Sequence, residues 1–254
     1  TRAAQSQGDL IMEGGSLNLG AYRISLGHIG GDAAGVSEGL VLGNDDLRQA
    51  QVDELVLTSR TSVDVYGSLN LQVNDLHIEA GGLKGYANSD QTARIDAAGD
   101  ITLSNREGVS DARAATGDGR LELAAADRIT LGEGTFAIDG YADANLSAGR
   151  EIVGDGTGTL EVAGDLTLNA PRITATQGAD TTIRAQDAAD VFHGITITAP
   201  GTRPADLPLG QSLQHVLLGL VVDRHETGPE VVVEFLGREI HGAALPPVEG
   251  VLRS

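Results

Sequence analysis

The sequence contains no cysteine and no tryptophan, and aromatic residues make up only 3% of its 254 positions. Without cysteine there can be no disulfide framework, no thiolate nucleophile and no cysteine-ligated metal site. The same composition argues against a core built around large aromatic side chains. A chain of this length can bury a sizeable core, and we expect that core to consist of aliphatic side chains.

Positive charge is also scarce in this chain. Lysine and arginine number 17 against 36 acidic residues, which gives a formal net charge of −19 and a pI near 4.5. Such a surface repels the phosphates of nucleic acids and the headgroups of anionic membranes, so we expect neither as a partner. The longest strongly apolar run, residues 216–222, is far shorter than the roughly 20 residues of a membrane-spanning helix. We therefore expect no membrane insertion.

The start of the chain lacks the usual features of a protein N-terminus. It begins at Thr1-Arg2 rather than at methionine, and no signal peptide opens it. We therefore expect the sequence to be a piece of a longer protein.

Glycine is abundant, with 35 residues, about twice the usual share. Between the glycines, apolar and polar residues alternate in short runs, which places the apolar side chains on one face of a strand. No stretch before residue 205 keeps a helical apolar spacing, so we expect an all-β chain. The predicted strands include residues 17–19, 22–26, 55–57, 69–71, 76–78, 101–103, 121–123, 129–131, 160–162, 166–168, 173–175 and 182–184.

A short sequence motif recurs at the start of several predicted strands. The unit Gly-x-Leu-x-Leu, with Ile replacing the first Leu once, recurs at residues 15–19, 67–71, 99–103, 119–123 and 164–168. Closely spaced short strands suit a coil with three strands per rung of about 20–25 residues. Residues 1–195 would then form about eight to ten rungs and a rod of about 40–50 Å. The alternative is an antiparallel β-sandwich, but its longer strands and aromatic core fit this sequence less well.

The chain changes character near Pro200, which predicts two regions. Residues 1–199 form the solenoid, and residues 200–254 contain a linker, a capping element and an extended tail. Within the second region, residues 213–222 and 231–236 are two longer, largely apolar runs around a turn at residues 226–229. They predict a β-hairpin, or a short helix followed by a strand, that covers one end of the rod and protects its exposed strand edges.

Three runs carry a resemblance to a known family: residues 95–103 (Ile-Asp-Ala-Ala-Gly-Asp-Ile-Thr-Leu), 121–131 and 160–175. They resemble the large secreted exoproteins of the filamentous haemagglutinin type, and the resemblance covers residues 50–190 well. It implies a right-handed parallel β-helix that a partner β-barrel in the outer membrane exports from a Gram-negative bacterium. Members act as adhesins, or as stalks that carry a toxin or a receptor-binding tip. The family brings no catalytic residues, so none are transferred.

Several motifs match catalytic or binding sites in letters only. Gly35-Val-Ser-Glu-Gly39 has the wording of a nucleophile elbow, but a strand-like segment follows it where the elbow needs a helix. Residues 132–137 imitate a dinucleotide fingerprint without a following helix, and residues 154–162 imitate a calcium repeat that occurs once. We interpret the first as a chance match and the other two as turns. The histidines that could converge on the C-terminal element, interpreted as surface residues, are His215, His225 and His241.

We therefore predict a right-handed parallel β-helix with a C-terminal β-hairpin or short-helix cap, from a secreted or surface-anchored exoprotein. Its function would be adhesion or scaffolding without catalysis, cofactor or metal. The expected partners are the outer-membrane transporter and a glycan or protein receptor on a host or bacterial surface. One alternative is a passive stalk of a contact-dependent toxin-delivery exoprotein. Another is a β-helical polysaccharide lyase or glycosidase, whose residues could include Arg94, Asp96, Asp127, Arg128 and Arg150.

Overall fold

The structure is a computed structural model that describes residues 4–5, 12–27, 39–86, 89–109, 117–198 and 233–236. It consists almost entirely of short β-strands. In chain order they are β1 (Ala4–Gln5), β2 (Met12–Glu13), β3 (Ser16–Ala21), β4 (Ile24–Gly27), β5 (Leu40–Gly43), helix α1 (Asn44–Gln49), β6 (Ala50–Gln51), β7 (Glu54–Ser59), β8 (Val63–Tyr66), β9 (Leu69–Val73), β10 (Asp75–Glu79), β11 (Gly82–Tyr86), β12 (Thr92–Ala97), β13 (Ile101–Ser104), β14 (Gly119–Ala125), β15 (Arg128–Leu131), β16 (Gly134–Asp139), β17 (Tyr141–Ala148), β18 (Glu151–Gly154), β19 (Thr157–Val162), β20 (Asp165–Asn169), β21 (Ile173–Ala175), β22 (Asp180–Ala185), β23 (Ile195–Thr198) and β24 (Val233–Leu236).

The strands form three main sheets that the chain visits in turn. Sheet I has the order β1-β5-β4-β8-β11-β16-β19-β22-β24, sheet II β21-β18-β15-β13-β10-β7-β3, and sheet III β23-β20-β17-β14-β12-β9. A regular rung runs from sheet II through sheet I to sheet III, and each strand pairs in parallel with the strand of the next rung. The predicted all-β parallel solenoid is confirmed.

Identical positions of successive rungs stack inside the coil. One ladder in sheet III consists of Leu71, Ile95, Leu123, Leu146 and Leu168, and all five side chains are fully buried. Each such side chain stabilises the fold by about 1.5–3 kcal/mol through removal of apolar surface from water. Among the described residues the core is aliphatic, as the composition predicts, and its only aromatic side chains belong to Phe136 and Tyr141.

The solenoid is shorter than predicted. From β10 to β21, positions that stack in sheet II lie 21 to 28 residues apart in the sequence, somewhat more than the expected rung. The six strands of sheet III enclose only about five turns, which corresponds to about 24 Å at the usual strand spacing. The prediction of eight to ten rungs was wrong, because the rungs are longer than expected and the described strands of sheet III begin only at β9.

The N-terminal end of the solenoid carries a feature that the sequence did not predict. In sheet I, β4 lies between β5 and β8, so β5 is placed towards the N-terminal end of the coil. Helix α1 follows β5 and packs against β9. Asp46 accepts a hydrogen bond from the Gly43 backbone N–H at 2.9 Å, and Leu47 is buried against the end of the core. A helix of one or two turns is too short to reveal a helical apolar period.

One rung contributes no strand to sheet I. The strand described after β13 is β14 in sheet III, and in sheet I β11 pairs directly with β16. Asn105 fixes the chain after β13: its side chain donates to the carbonyls of Val109 and Thr135 and accepts from the Val109 N–H at 2.8 Å. We refer to residues 105–118 as the excursion.

The last parallel strand of the coil ends at Thr198, and the predicted boundary after residue 199 stays a prediction. In the C-terminal region the structure describes Val233–Leu236, which pairs antiparallel with β22 at the end of sheet I. The remainder of the predicted capping element lies outside the described residues.

Candidate functional site

The outward face of sheet I is buried on its earlier strands, whereas later strands carry partly exposed residues such as Glu161 and Arg184. Ser25, Asp64, Lys84 and Asp139 alternate with core residues and therefore point outward, yet each is at most 5% exposed. The start of the excursion lies against this sheet, since a side chain at Gly81 would meet Val109. Asp64, Lys84 and Asp139 are thus part of the interior.

The outward face of sheet II carries a ladder of alternating charges. Glu151 lies between Arg128 and Arg172 in consecutive rungs and forms ion pairs with both. The Arg128 Nη2 atom is 2.7 Å from Oε1, and the Arg172 Nε atom donates to Oε2 at 2.8 Å. Each carboxylate oxygen of Glu151 is thus held by one guanidinium. Glu151 is only 3% exposed, so these charge-assisted hydrogen bonds lie in a partly dry environment.

The electrostatics of Glu151 follow from this arrangement. Burial alone would raise its pKa, but the hydrogen bonds and charges of Arg172 and Arg128 outweigh burial and hold the pKa below its ordinary value. Glu151 is therefore charged at neutral pH. A carboxylate held by two arginines connects three rungs and is a poor general acid.

Aspartates at the corners of the coil tie one rung to the next. Asp75 accepts a hydrogen bond from the Asp100 N–H at 2.7 Å, and Asp100 accepts one from the Arg128 N–H at 3.0 Å. Burial and the nearby charge of Asp127 raise the pKa of Asp100. A raised carboxyl pKa can mark a catalytic acid, but the backbone hydrogen bond gives Asp100 a structural role in holding the corner.

A denser polar cluster lies where the excursion leaves sheet II, and it consists of His77, Glu79, Ser104 and Arg106. The Ser104 hydroxyl donates to Glu79 Oε2 at 2.6 Å and lies 3.1 Å from His77 Nε2. Glu79 also accepts hydrogen bonds from the backbone N–H and the Nε–H of Arg106, at 2.5 and 3.0 Å. The cluster thus fixes the first residues of the excursion to the rung below.

The residue types of this cluster match a hydrolytic triad, but their connections do not. In a triad the histidine takes the serine proton and the acid orients the histidine. Here the serine proton points to Glu79, and His77 Nε2, the atom facing Ser104, is 3.9 Å from the Glu79 carboxylate. Ser104 is also only 3% exposed, so a substrate has no access to its oxygen. The arrangement is a structural network.

The pKa of His77 should respond to Arg106. Burial lowers this pKa, the Arg106 charge lowers it further, and Glu79 and Glu54 oppose both effects. We expect Arg106→Gln to raise the pKa of His77, measured by an NMR titration of the imidazole. Arg120→Gln, on sheet III, is the control and should leave the titration unchanged. An equal shift in both variants would contradict a local effect of Arg106.

Sheet III presents the most exposed face of the coil. At its N-terminal end Arg94 binds Asp96 through Nε and Nη2, at 2.7 and 2.8 Å, and Glu122 through Nη1 at 2.9 Å. Towards the C-terminal end the charged residues give way to amides and hydroxyls. These are Asn145, Ser147, Thr167, Asn169, Thr196 and Thr198, which we call the amide–hydroxyl patch.

The five residues considered for an enzymatic site do not share one face. Arg94 and Asp96 lie on sheet III, where they bind each other. Asp127 pairs with Arg150 at 3.1 Å at the corner that leads into sheet II, where Arg128 binds Glu151. The structure therefore does not bring all five residues together, because a corner of the coil separates Arg94 and Asp96 from the other three.

The sequence motifs have simple structural roles where the structure describes them. Residues 132–133 form the corner before β16, and residues 155–156 form the corner before β19. The interpretation of residues 132–137 and 154–162 as turns was wrong for the rest of both motifs, which lies in β16, β18 and β19. In the second corner Asp155 accepts a hydrogen bond from Thr176 at 2.8 Å. The serine of the elbow-like motif and the three C-terminal histidines, His215, His225 and His241, lie outside the described residues.

The described ranges contain no cluster of three or more histidine, aspartate or glutamate side chains that could hold a metal ion. The only helix in them, α1, is too short to cross a membrane.

Sequence reasoning missed the two clusters around Glu151 and Glu79. In sequence, Glu151 is 23 residues from Arg128, and Glu79 is 25 residues from Ser104. Only the rung length brings these partners together. A repeat of constant length would have shown which residues of neighbouring rungs stack on one another, but the rungs differ in length.

No family model, no curated protein and no solved structure matches this chain.

Proposed function

We propose that this β-solenoid is a non-catalytic section of a secreted or cell-surface bacterial exoprotein, acting in adhesion or as a scaffold. The observation that carries this proposal is the outward face of sheet III, which runs across six parallel strands with polar, accessible side chains. A long flat face of this kind offers many weak contacts to a surface and no enclosed space for a reaction.

The engagement of the acidic side chains supports the same function. Glu79, Asp75 and Glu151 all bind groups on neighbouring rungs. A glycosidase needs a pair of carboxyls facing a groove, with one kept protonated. Carboxylates used to join rungs stabilise a rod, which is what an adhesin or a scaffold requires.

The proposed location is outside a Gram-negative cell, after export through an outer-membrane transporter partner. The resemblance of residues 95–103, 121–131 and 160–175 to haemagglutinin-type exoproteins supports it. The fold also suits export, because each rung contacts only its neighbours and the coil can therefore form progressively as the chain emerges.

A binding panel tests the proposal. The purified chain is applied to immobilised host and bacterial glycans and surface proteins, and retained protein and released sugar are measured in the same wells. We expect retention without product. Released oligosaccharides or unsaturated sugar ends would contradict the proposal and favour the lyase or glycosidase. No retention on any surface would contradict adhesion and favour the passive stalk.

A further inference from the structure

We propose that the amide–hydroxyl patch is a binding face for an uncharged, hydroxyl-rich polysaccharide that lies along the solenoid axis. This inference rests on the proposed adhesive function and names the face and the ligand class. It follows from a comparison of the three outward faces, from the spacing of the patch, from its hydrogen bonding and from its charge.

The three faces of the coil differ in what they can offer a partner. On sheet I the outward side chains of Asp64 and Asp139 are buried. The uncharged polar residues that are accessible on later strands of this sheet form a single row, Thr135, Thr159 and Thr182. On sheet II the ion pairs of Glu151 with Arg128 and Arg172 occupy the polar groups. Sheet III presents the larger array of uncharged polar side chains: six of them, half-buried or exposed, lie in two rows on three consecutive rungs.

The spacing of the patch matches a linear polymer. Its two rows run along the axis: Asn145, Thr167 and Thr196 form one row, and Ser147, Asn169 and Thr198 form the other. Neighbours within a row are separated by the strand spacing of about 4.8 Å. An extended β-linked hexose chain advances by a similar length per sugar, so successive sugars can meet equivalent side chains on successive rungs.

The side chains of the patch are already ordered by hydrogen bonds to one another. Thr198 donates to the Asn169 Oδ1 atom at 2.9 Å, and Asn169 donates to the Ser147 hydroxyl at 3.4 Å. Each amide and hydroxyl retains further donor or acceptor capacity that a sugar hydroxyl can use. Order before binding reduces the entropy that a ligand must overcome.

The charge of the patch selects an uncharged ligand. The chain carries a net charge of −19, which repels anionic polymers such as uronates. A cationic partner would prefer the acidic corners of the coil to a patch without charge. Three carboxylates border the patch, and each has a partner. Glu122, which stacks next to Asn145, binds Arg94. Asp143 binds Arg120. Asp165 accepts a hydrogen bond from the Gly194 N–H at 2.8 Å and so contributes to the corner. Neutral groups that donate and accept hydrogen bonds therefore complement a neutral polyol.

The test uses the full chain and a series of cello-oligosaccharides of increasing length, followed by NMR and calorimetry. We expect affinity to rise with oligomer length and the side-chain amide signals of Asn145 and Asn169 to shift. Thr167→Val with Thr196→Val removes two hydroxyls that are paired in adjacent rungs and preserves side-chain shape. This double variant should bind about tenfold more weakly, as expected for the loss of two hydrogen bonds.

The matched control is Thr102→Val with Thr130→Val, an equally paired set of threonines on sheet II. It should retain wild-type affinity, and oligogalacturonate should not bind either protein. Equal weakening in both double variants, or unchanged binding by the sheet III variant, would overturn the assignment of the face. Retention of the chain on surface proteins without binding to any cello-oligosaccharide would overturn this inference while leaving the adhesive function in place.

Discussion

Gly140→Ala is expected to lower the free energy of unfolding by roughly 3–5 kcal/mol, enough to abolish the fold of a marginally stable domain. Gly140 lies at the corner between β16 and β17 with φ of 77°, a conformation that L side chains rarely adopt. A Cβ atom there would lie 2.3 Å from the backbone oxygen of Gly85 in the rung below. Neither the backbone at Gly140 nor that at Gly85 can move away to relieve this contact without breaking the pairing of the strands.

Gly178→Ala is the matched control for this prediction. Gly178 has nearly the same φ, 82°, but no atom lies within 4 Å of a Cβ built on it. Alanine there meets only the intrinsic penalty of the left-handed region, about 1 kcal/mol. Chemical denaturation of the two variants measures the difference. Equal destabilisation would show that φ alone matters and that the contact between rungs does not.

Glu151→Gln is expected to lower the free energy of unfolding by roughly 2–4 kcal/mol, because two arginines would then face each other without the buried charge that holds them. Arg172 is almost fully buried beside it, so water compensates little for the loss. Glu161→Gln provides the control. Its partner Arg184 is exposed and 3.9 Å away, and such surface pairs contribute about 0–1 kcal/mol.

The same carboxylate predicts how stability depends on pH. Because the folded state holds the pKa of Glu151 below its ordinary value, the unfolded chain takes up a proton first as pH falls. Stability contributed by Glu151 is therefore fully present above pH 4.5, its ordinary pKa, and is lost as pH falls through the lower pKa of the folded state. Denaturation at several acidic pH values should show a shallower decline for Glu151→Gln than for the wild type.

Polar positions on the outward faces show the limit of sequence reasoning most clearly. The sequence indicates that Arg94 and Glu122 alternate with apolar residues and so point out of the coil. It does not indicate that they pair at 2.9 Å, because that contact depends on a register between β12 and β14. Asp64 and Lys84 also read as outward, solvated residues, yet the structure buries both of them.

By itself the sequence determined the all-β class and the aliphatic core of this protein, and it favoured parallel stacking over an antiparallel sandwich. These features follow from local rules: the alternation of Leu-x-Leu segments, the glycines at the corners and the lack of aromatic residues. The tertiary structure decided the number of turns, helix α1 and the missing strand of sheet I at the excursion. It also decided which outward residues meet. The reason is that rungs of 21 to 28 residues vary in length at their corners. Only the three-dimensional register of the backbone hydrogen bonds brings residues of different rungs together.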